Sequence, residues 1–127
     1  MDNPGLLSPS TLAFMGDAVF GVLVRSHLCQ INRPAGDLHK LSVKLVNANA
    51  QALSFKLIEP MLTETEITFF KRGRNIHTSS VPKNSSLAQY HAATGLEALF
   101  GYLYLGEQTD RIDELFKVIW DDFCGNN

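Results

Sequence analysis

The most apolar part of the chain is residues 94–105, which read TGLEALFGYLYL. A helix that is hydrophobic almost all round lies inside a protein core, so this stretch predicts the central helix of the fold. Ser86 and Gln89 match a capping box at its start, and Gly106 is suited to ending it. We therefore predict a helix over residues 87–105.

Before this helix, apolar residues recur at helical spacing, which predicts further helices. Ser8 as N-cap and Pro9 at the first helical position predict a helix over residues 9–28. Asp37 is suited to capping a second helix, over residues 38–58. The polar stripe of this second helix comprises Lys40, Lys44, Asn47 and Gln51.

A short helix and a last amphipathic helix complete the pattern. Thr63 and Glu66 form another capping box, which predicts a helix over residues 64–72 that ends at Gly73. The last helix is capped by Thr109 or Asp110. Because no strand pattern is present, we predict an all-α fold of about five to seven helices in a single domain, residues 1–127.

Composition places the chain among globular domains. The length of 127 residues fits one domain, and 45% apolar and 19% charged residues supply one core. No apolar run approaches the roughly 18 residues of a membrane span, and the N-terminus lacks the pattern of a signal peptide. Cys29 and Cys124 lie far apart, which favours free thiols over a zinc site. We expect a cytoplasmic protein that does not bind membranes.

Basic residues concentrate in the middle of the chain. Between residues 71 and 91 there are four Lys or Arg and no acid, whereas seven acids follow from Glu97 onward. The middle of the chain is therefore suited to meeting phosphate, although a solvated basic loop would show the same pattern. The basic residues of this segment are Lys71, Arg72, Arg74 and Lys83.

Asp17 and Glu97 are carboxylates in otherwise apolar helices. A buried carboxylate without a partner is costly, so each must face water, a cation or a hydrogen-bonding partner. One helical turn to either side, the neighbours are the small residues Ala13, Gly21, Ala93 and Gly101. These residues leave an open notch suited to Mg²⁺, which keeps several waters and needs few protein ligands. Small residues also let helices pack closely, and that interpretation stays open.

Two motifs resemble the ribonuclease III catalytic domain. Residues 12–19, LAFMGDAV, are similar to its first signature, and residues 94–101, TGLEALFG, are similar to its second. The chain resembles Mini-ribonuclease III, the short form without a double-stranded-RNA-binding domain, more closely, and this resemblance extends over almost the whole chain. Its own patterns are matched by Ala50-Gln51, by KRGRN at 71–75, by VPKN at 81–84 and by YHAATG at 90–95.

The sequence departs from full-length ribonuclease III at three acidic positions. Ser10, Ala13 and Thr94 stand where that family carries further acids. Of the family's acidic constellation only Asp17 and Glu97 remain, as in Mini-ribonuclease III. Fewer carboxylates leave more of a metal's coordination to water and substrate.

The resemblance implies a homodimeric endoribonuclease that hydrolyses double-stranded RNA and needs no organic cofactor. It implies Mg²⁺ held by Asp17 and Glu97, products with 5′-phosphate and 3′-hydroxyl ends, and a large-subunit (23S) ribosomal RNA precursor as substrate. We expect the apolar surplus of the Glu97 helix and the last helix to form the dimer contact, although five helices of a single chain could also bury this surface unaided. Candidate RNA contacts are Lys71, Arg72, Arg74, Lys83, Asn75, Asn84, Lys40 and Lys44.

Two other functions remain possible from the sequence. The same fold could hold structured RNA without cutting it, as a ribosome-assembly factor does. It could also be a helical protein-interaction domain in which the basic loop is incidental. The presence of both Asp17 and Glu97 in apolar surroundings favours the enzyme, because a pure binder has no need of them.

Overall fold

The computed structural model describes residues 3–76 and 86–126. These residues form six α-helices and two short 3-10 turns, at Pro4–Leu6 and Glu59–Met61, which confirms the predicted all-α fold. The helices are α1 (Pro9–Leu28), α2 (Ala35–Leu45), α3 (Ala48–Ile58), α4 (Glu64–Arg74), α5 (Leu87–Leu105) and α6 (Thr109–Asn126).

Local capping determines where most of these helices begin. Ser8 accepts the backbone N–H of Thr11 at 3.1 Å, which starts α1 where the sequence predicts. Both predicted capping boxes are present, at the starts of α4 and α5, and Gly106 caps the end of α5. These helices are therefore specified by short-range hydrogen bonds.

The predicted helix over 38–58 is wrong, because the structure has two helices there, α2 and α3. Asn47 separates them and satisfies backbone groups on both sides of the break. Its Oδ1 accepts the N–H of Ala50 at 2.8 Å, and its Nδ2 donates to the carbonyl of Val43 at 2.7 Å. Asp37 is not the N-cap either, since α2 begins at Ala35 and Asp37 lies in its first turn.

α5 is the central helix, as predicted. Its buried side chains include Leu96, Leu99, Phe100 and Leu103, none of which has any exposed surface. α1, α3, α4 and α6 all pack around it. The site residues of α5 therefore lie on the helix that the rest of the domain packs around.

Gly73 does not end α4, so the predicted end of this helix is wrong. The helix continues to Arg74, and Gly73 is buried against α5. A Cβ at Gly73 would lie 2.5 Å from the Cβ of Ala98 and 2.9 Å from the carbonyl of Thr94. The residue is a glycine because α4 and α5 approach each other closely at this point.

A partly buried ion pair connects α6 to α4. Arg111 donates from Nε and Nη2 to the two carboxylate oxygens of Glu66, each at 2.8 Å, and from Nη2 to the carbonyl of Met61 at 2.7 Å. The Arg111 guanidinium holds the pKa of the Glu66 carboxyl group below its usual value. The same carboxylate accepts the N–H of Thr63 in the capping box of α4.

Among the described residues, α1 is long and apolar enough to cross a membrane by length and composition alone. The expectation that no segment meets this criterion is therefore wrong. Core helices of globular domains meet it as well, and here Leu12, Phe20 and Val24 of α1 are completely buried inside the domain.

Candidate active site

Asp17 and Glu97 are brought together where α1 crosses α5. Gly16 permits the crossing, because a Cβ at this position would lie only 1.6 Å from the backbone carbonyl oxygen of Glu97. Gly101 makes the reciprocal contact, where a Cβ would lie 1.9 Å from the carbonyl oxygen of Leu12. The two helices therefore touch backbone to backbone beside the two carboxylates.

The two carboxyl groups line the same depression and affect each other electrostatically. Asp17 is exposed and Glu97 is half-buried. Burial, the neighbouring charge of Asp17 and a hydrogen bond between the two carboxyl groups raise the pKa of Glu97 to about 8, against a smaller opposite effect of Gln51. With no cation bound, Glu97 therefore holds a proton at neutral pH.

The pair opens into a surface depression of about 270 Å³. One face of α1 and one face of α5 form most of its wall, and Ile76 closes the side towards α4. The lining residues are Ser10, Ala13, Phe14, Asp17, Ile76, Tyr90, Thr94 and Glu97. The space is open to solvent and large enough for a hydrated ion beside a phosphate group.

The three neutral positions that replace acids all line this depression. Ser10, Ala13 and Thr94 face the same space as the two carboxylates. The Thr94 hydroxyl donates to the carbonyl of Tyr90 at 3.0 Å. Within residues 3–76 and 86–126, no group of three His, Cys, Asp or Glu side chains is arranged to hold a metal. The described site therefore offers two acidic ligands.

The predicted notch of small residues is only partly correct. The space beside Gly101 is filled by the backbone of Leu12, and no atom lies within 4 Å of a Cβ built on Gly21. The room beside the pair is instead lined by Ala13. The sequence pattern predicts no contact role for Gly16, although its position directly before Asp17 is a signal for such a role.

Gln51 is a further residue of the site, although the sequence predicts it on the polar stripe of a helix over residues 38–58. The structure buries it, with 5% of its surface exposed, on the side of α3 that faces α5. Its side-chain amide interacts with the Glu97 carboxyl group and lowers the pKa of that group. The break between α2 and α3 separates it from the exposed Lys40, Lys44 and Asn47.

The basic residues at the end of α4 precede Ile76, which lies two residues after this helix and lines the depression. Lys71 and Asn75 are exposed, and Arg74 is half-buried beside the ring of Phe70. Arg74 also donates to Asn75 at 3.2 Å. Arg74 lines a groove separate from the depression, together with Lys56 and Gln89.

Arg72, also a predicted RNA contact, makes contacts within the fold. Its guanidinium donates to the carbonyls of Gly5 and Leu7 at 3.2 and 3.1 Å and lies 5.1 Å from the centre of the Phe69 ring. It therefore fastens the segment before α1 to α4.

The remaining candidates for RNA contact are less close to the carboxylates or outside the described residues. Lys40 and Lys44 are exposed on α2, which meets the C-terminal end of α1 near Leu28. That end lies about 16 Å along the helix axis from Asp17. Lys83 and Asn84 lie outside the described residues.

Comparisons with known proteins agree with this geometry. The family model described as Ribonuclease III domain matches residues 10–108. A Mini-ribonuclease 3 of Thermoanaerobacter sp. (strain X514) is 43% identical over 113 residues, which are 88% of this chain and 80% of that protein. A Mini-ribonuclease 3 of Symbiobacterium thermophilum is 41% identical over 120 residues, 94% of this chain and 92% of that protein. A crystal structure of a Fusobacterium nucleatum protein superposes with a TM-score of 0.83 at 32% identity, covering 96% of both chains.

Proposed function

Because this chain belongs to the ribonuclease III domain family and is an endoribonuclease of that type, we propose that it cleaves double-stranded RNA with a magnesium ion held by Asp17 and Glu97. The observation that supports the proposal is that both carboxylates line one depression at the close crossing of α1 and α5.

The residues of the depression fit a hard divalent cation. Two carboxylates side by side repel each other, and the raised pKa of Glu97 reflects first its burial and then this repulsion. A cation between them would remove the repulsion and displace the proton. Mg²⁺ is suited to this site because it keeps several waters and needs only one or two protein carboxylates.

A bound magnesium ion would lower the pKa of a water molecule and stabilise negative charge on the departing oxygen. The protein side chains would supply the geometry. Asp17 is exposed at the depression, so its carboxylate can orient the attacking water beside the scissile phosphate. Glu97 belongs to the central helix α5, which would hold its carboxylate at a constant position in the site. We propose products with 5′-phosphate and 3′-hydroxyl ends.

The binding surface for RNA would start at the end of α4. Lys71, Arg74 and Asn75 precede Ile76, which lines the depression, and would meet phosphates beyond it, whereas Lys40 and Lys44 on α2 would meet more distant phosphates of the same duplex. Double-stranded RNA is recognised mainly through its shape, phosphates and 2′-hydroxyls, which suits Lys, Arg and Asn side chains. Lys83 and Asn84 stay predicted contacts.

We also propose that two copies of the chain form a homodimer through α1. Phe14 and Val22 are 83% and 63% exposed, and the exposed Ala18 lies between them on the same face of the helix. This face adjoins Asp17, so a second copy bound there would bring two sites together for the two strands. α5 is largely internal, and the apolar residues of α6 from Ile112 to Ile119 are mostly buried, which makes α1 the better candidate for the dimer contact.

The natural substrate proposed here is the precursor of large-subunit ribosomal RNA. The proposal follows from the similarity to Mini-ribonuclease III in the motifs at residues 71–75, 81–84 and 90–95. A precursor with paired ends supplies the duplex that the site requires.

The experiment that tests the function is incubation of the wild-type protein with a long RNA duplex and, separately, with one strand of it. We expect cleavage of the duplex with Mg²⁺, 5′-phosphate ends on the products, and no cleavage after chelation of divalent ions. Precursor ribosomal RNA should yield discrete products at a paired region. Binding of the duplex without cleavage under all these conditions would overturn the proposal in favour of a non-catalytic RNA-binding protein.

A further inference from the structure

Gln51 is one of few buried polar side chains in the described residues, together with Ser54 and Glu66. Its Nε2 has no hydrogen-bond partner there. A buried donor that lost its water without gaining a partner is costly to the folded state. We therefore expect this donor to gain a hydrogen-bond acceptor in the functional state of the protein.

The neighbour of this donor is the Glu97 carboxyl group. The Gln51 side chain acts on that group as a hydrogen-bonding neighbour, although Nε2 does not reach full hydrogen-bond geometry. Gln51 comes from α3 and does not line the depression, whereas Asp17 comes from α1 and does. Glu97 therefore has an acid on its open side and an amide donor on its buried side.

We propose that Gln51 is a positioning residue of the metal site, whose Nε2 donates a hydrogen bond to ionised Glu97 and holds this carboxylate in the orientation that binds a divalent ion together with Asp17. The inference rests on the function proposed above. It adds a third side chain, from a third helix, to a site that offers two acidic ligands.

The chemistry of an amide suits this position. Ionised Glu97 is half-buried and beside a second carboxylate, so its negative charge needs a donor on the buried side. A Lys or Arg would supply a donor but would also repel the incoming cation. A neutral N–H supports the carboxylate without reducing the negative charge that attracts the ion.

Substitution by methionine separates positioning from packing. Gln51→Met keeps the length and flexibility of the side chain and removes the amide, and Gln51→Leu serves as a second apolar variant. If Gln51 only fills space, both variants should bind metal like the wild type. Ser54→Ala is the matched control, since Ser54 is equally buried on the same helix but lines a different groove, beside Leu53 and Ile119.

The test is calorimetric titration with Mn²⁺ in the absence of RNA, next to steady-state cleavage of an RNA duplex. We expect Gln51→Met to bind Mn²⁺ about tenfold to a hundredfold more weakly, and kcat to fall with little change in KM for the duplex. Thermal unfolding without metal should show no loss of stability in this variant, because a buried donor without a partner has been removed.

Each alternative result overturns the inference. If the wild type binds Mn²⁺ and cleaves RNA, and Gln51→Met and Gln51→Leu bind Mn²⁺ within about twofold as tightly, the positioning role of Gln51 is overturned. The proposed function would then stay intact. An equal loss in Ser54→Ala would show a general packing effect and would overturn it as well. A wild type that neither binds Mn²⁺ nor cleaves would overturn the proposed function and this inference together.

Discussion

Gly16 lies against the backbone carbonyl of Glu97, so closely that a Cβ on Gly16 would be 1.6 Å from that oxygen. The residue next to one acid thus contacts the backbone of the other. The separation of the backbones that carry Asp17 and Glu97 is therefore set by a direct contact between two helices, which no side-chain rotation can adjust.

Gly16→Ala should separate α1 from α5 and damage both stability and the site. We expect a loss of at least about 2 kcal/mol in the free energy of unfolding, as in overpacked cores. Gly21→Ala is the matched control on the same helix, because no atom lies within 4 Å of its Cβ position. It should increase stability by roughly 0.5–1 kcal/mol. Urea unfolding of both variants checks this, and equal stabilities would contradict the account of the crossing.

The stability of the metal-free protein should decrease as the pH rises towards 8. The pKa of Glu97 in the folded state is about 8, above the value of 4.5 expected for the unfolded chain. Between these two values the unfolded chain releases a proton that the folded protein retains, so each increase in pH favours unfolding. The loss should be complete above the folded pKa.

Urea unfolding at a series of pH values, with a chelator present, tests this dependence. Glu97→Gln should flatten the profile between pH 5 and 8, because no proton is released at this position in either state. Glu107→Gln removes an exposed acid and should leave the profile unchanged. A flat profile for the wild type would show that Glu97 ionises normally beside Asp17.

The affinity for RNA should depend on the basic side chains at the end of α4. We expect the double variant Lys71→Ala, Arg74→Ala to bind an RNA duplex more weakly, with a salt dependence reduced by about one unit of slope for each lost phosphate contact. Lys117→Ala removes the same kind of charge from the acidic helix α6 and should bind like the wild type. Filter binding at several salt concentrations measures the difference, and an unchanged slope would contradict the placement of the RNA.

Arg72 should behave differently from its neighbours. Because its guanidinium holds the carbonyls of Gly5 and Leu7, Arg72→Ala should reduce stability by about 1–3 kcal/mol and leave the salt slope of RNA binding unchanged. Thermal unfolding next to the same binding assay checks both expectations. Full stability together with a reduced slope would assign Arg72 to the RNA instead.

Disruption of the α1 face should yield monomers. Val22 is 63% exposed, and Val22→Glu places a charge in the proposed contact between two copies. Leu53 is 55% exposed on α3, which makes Leu53→Glu a control of similar chemistry away from that contact. Sedimentation should find dimers of the wild type and of Leu53→Glu and monomers of Val22→Glu. A wild type that is monomeric at micromolar concentration would contradict the dimer.

The helices that the sequence predicts well are those with a signal in neighbouring residues. Ser8, Ser86 and Thr63 each form a cap with a residue three positions later, and these contacts are local. The break at Asn47 was not predicted, because the apolar period continues through it and only the hydrogen bonds of one side chain reveal it.

The missed features of the site depend on contacts between distant segments. Gly73 looks like a helix end in the sequence, but its contact with Ala98 of another helix determines its role. Gln51 looks like a surface residue until α3 is placed against α5. Asp17 and Glu97 were found because carboxylates in apolar helices are unusual within a single sequence, whatever the fold.

Catalysis by the Asp17 and Glu97 pair is tested most directly by single-turnover cleavage of an end-labelled RNA duplex with Mg²⁺ by the wild type, Asp17→Asn and the control Asp121→Asn, an exposed residue of α6. We expect Asp17→Asn still to bind the duplex but to cleave it at least about a thousandfold more slowly. Asp121→Asn should cleave like the wild type. Cleavage by Asp17→Asn at the wild-type rate would contradict the claim that the pair at the crossing of α1 and α5 is the catalytic site.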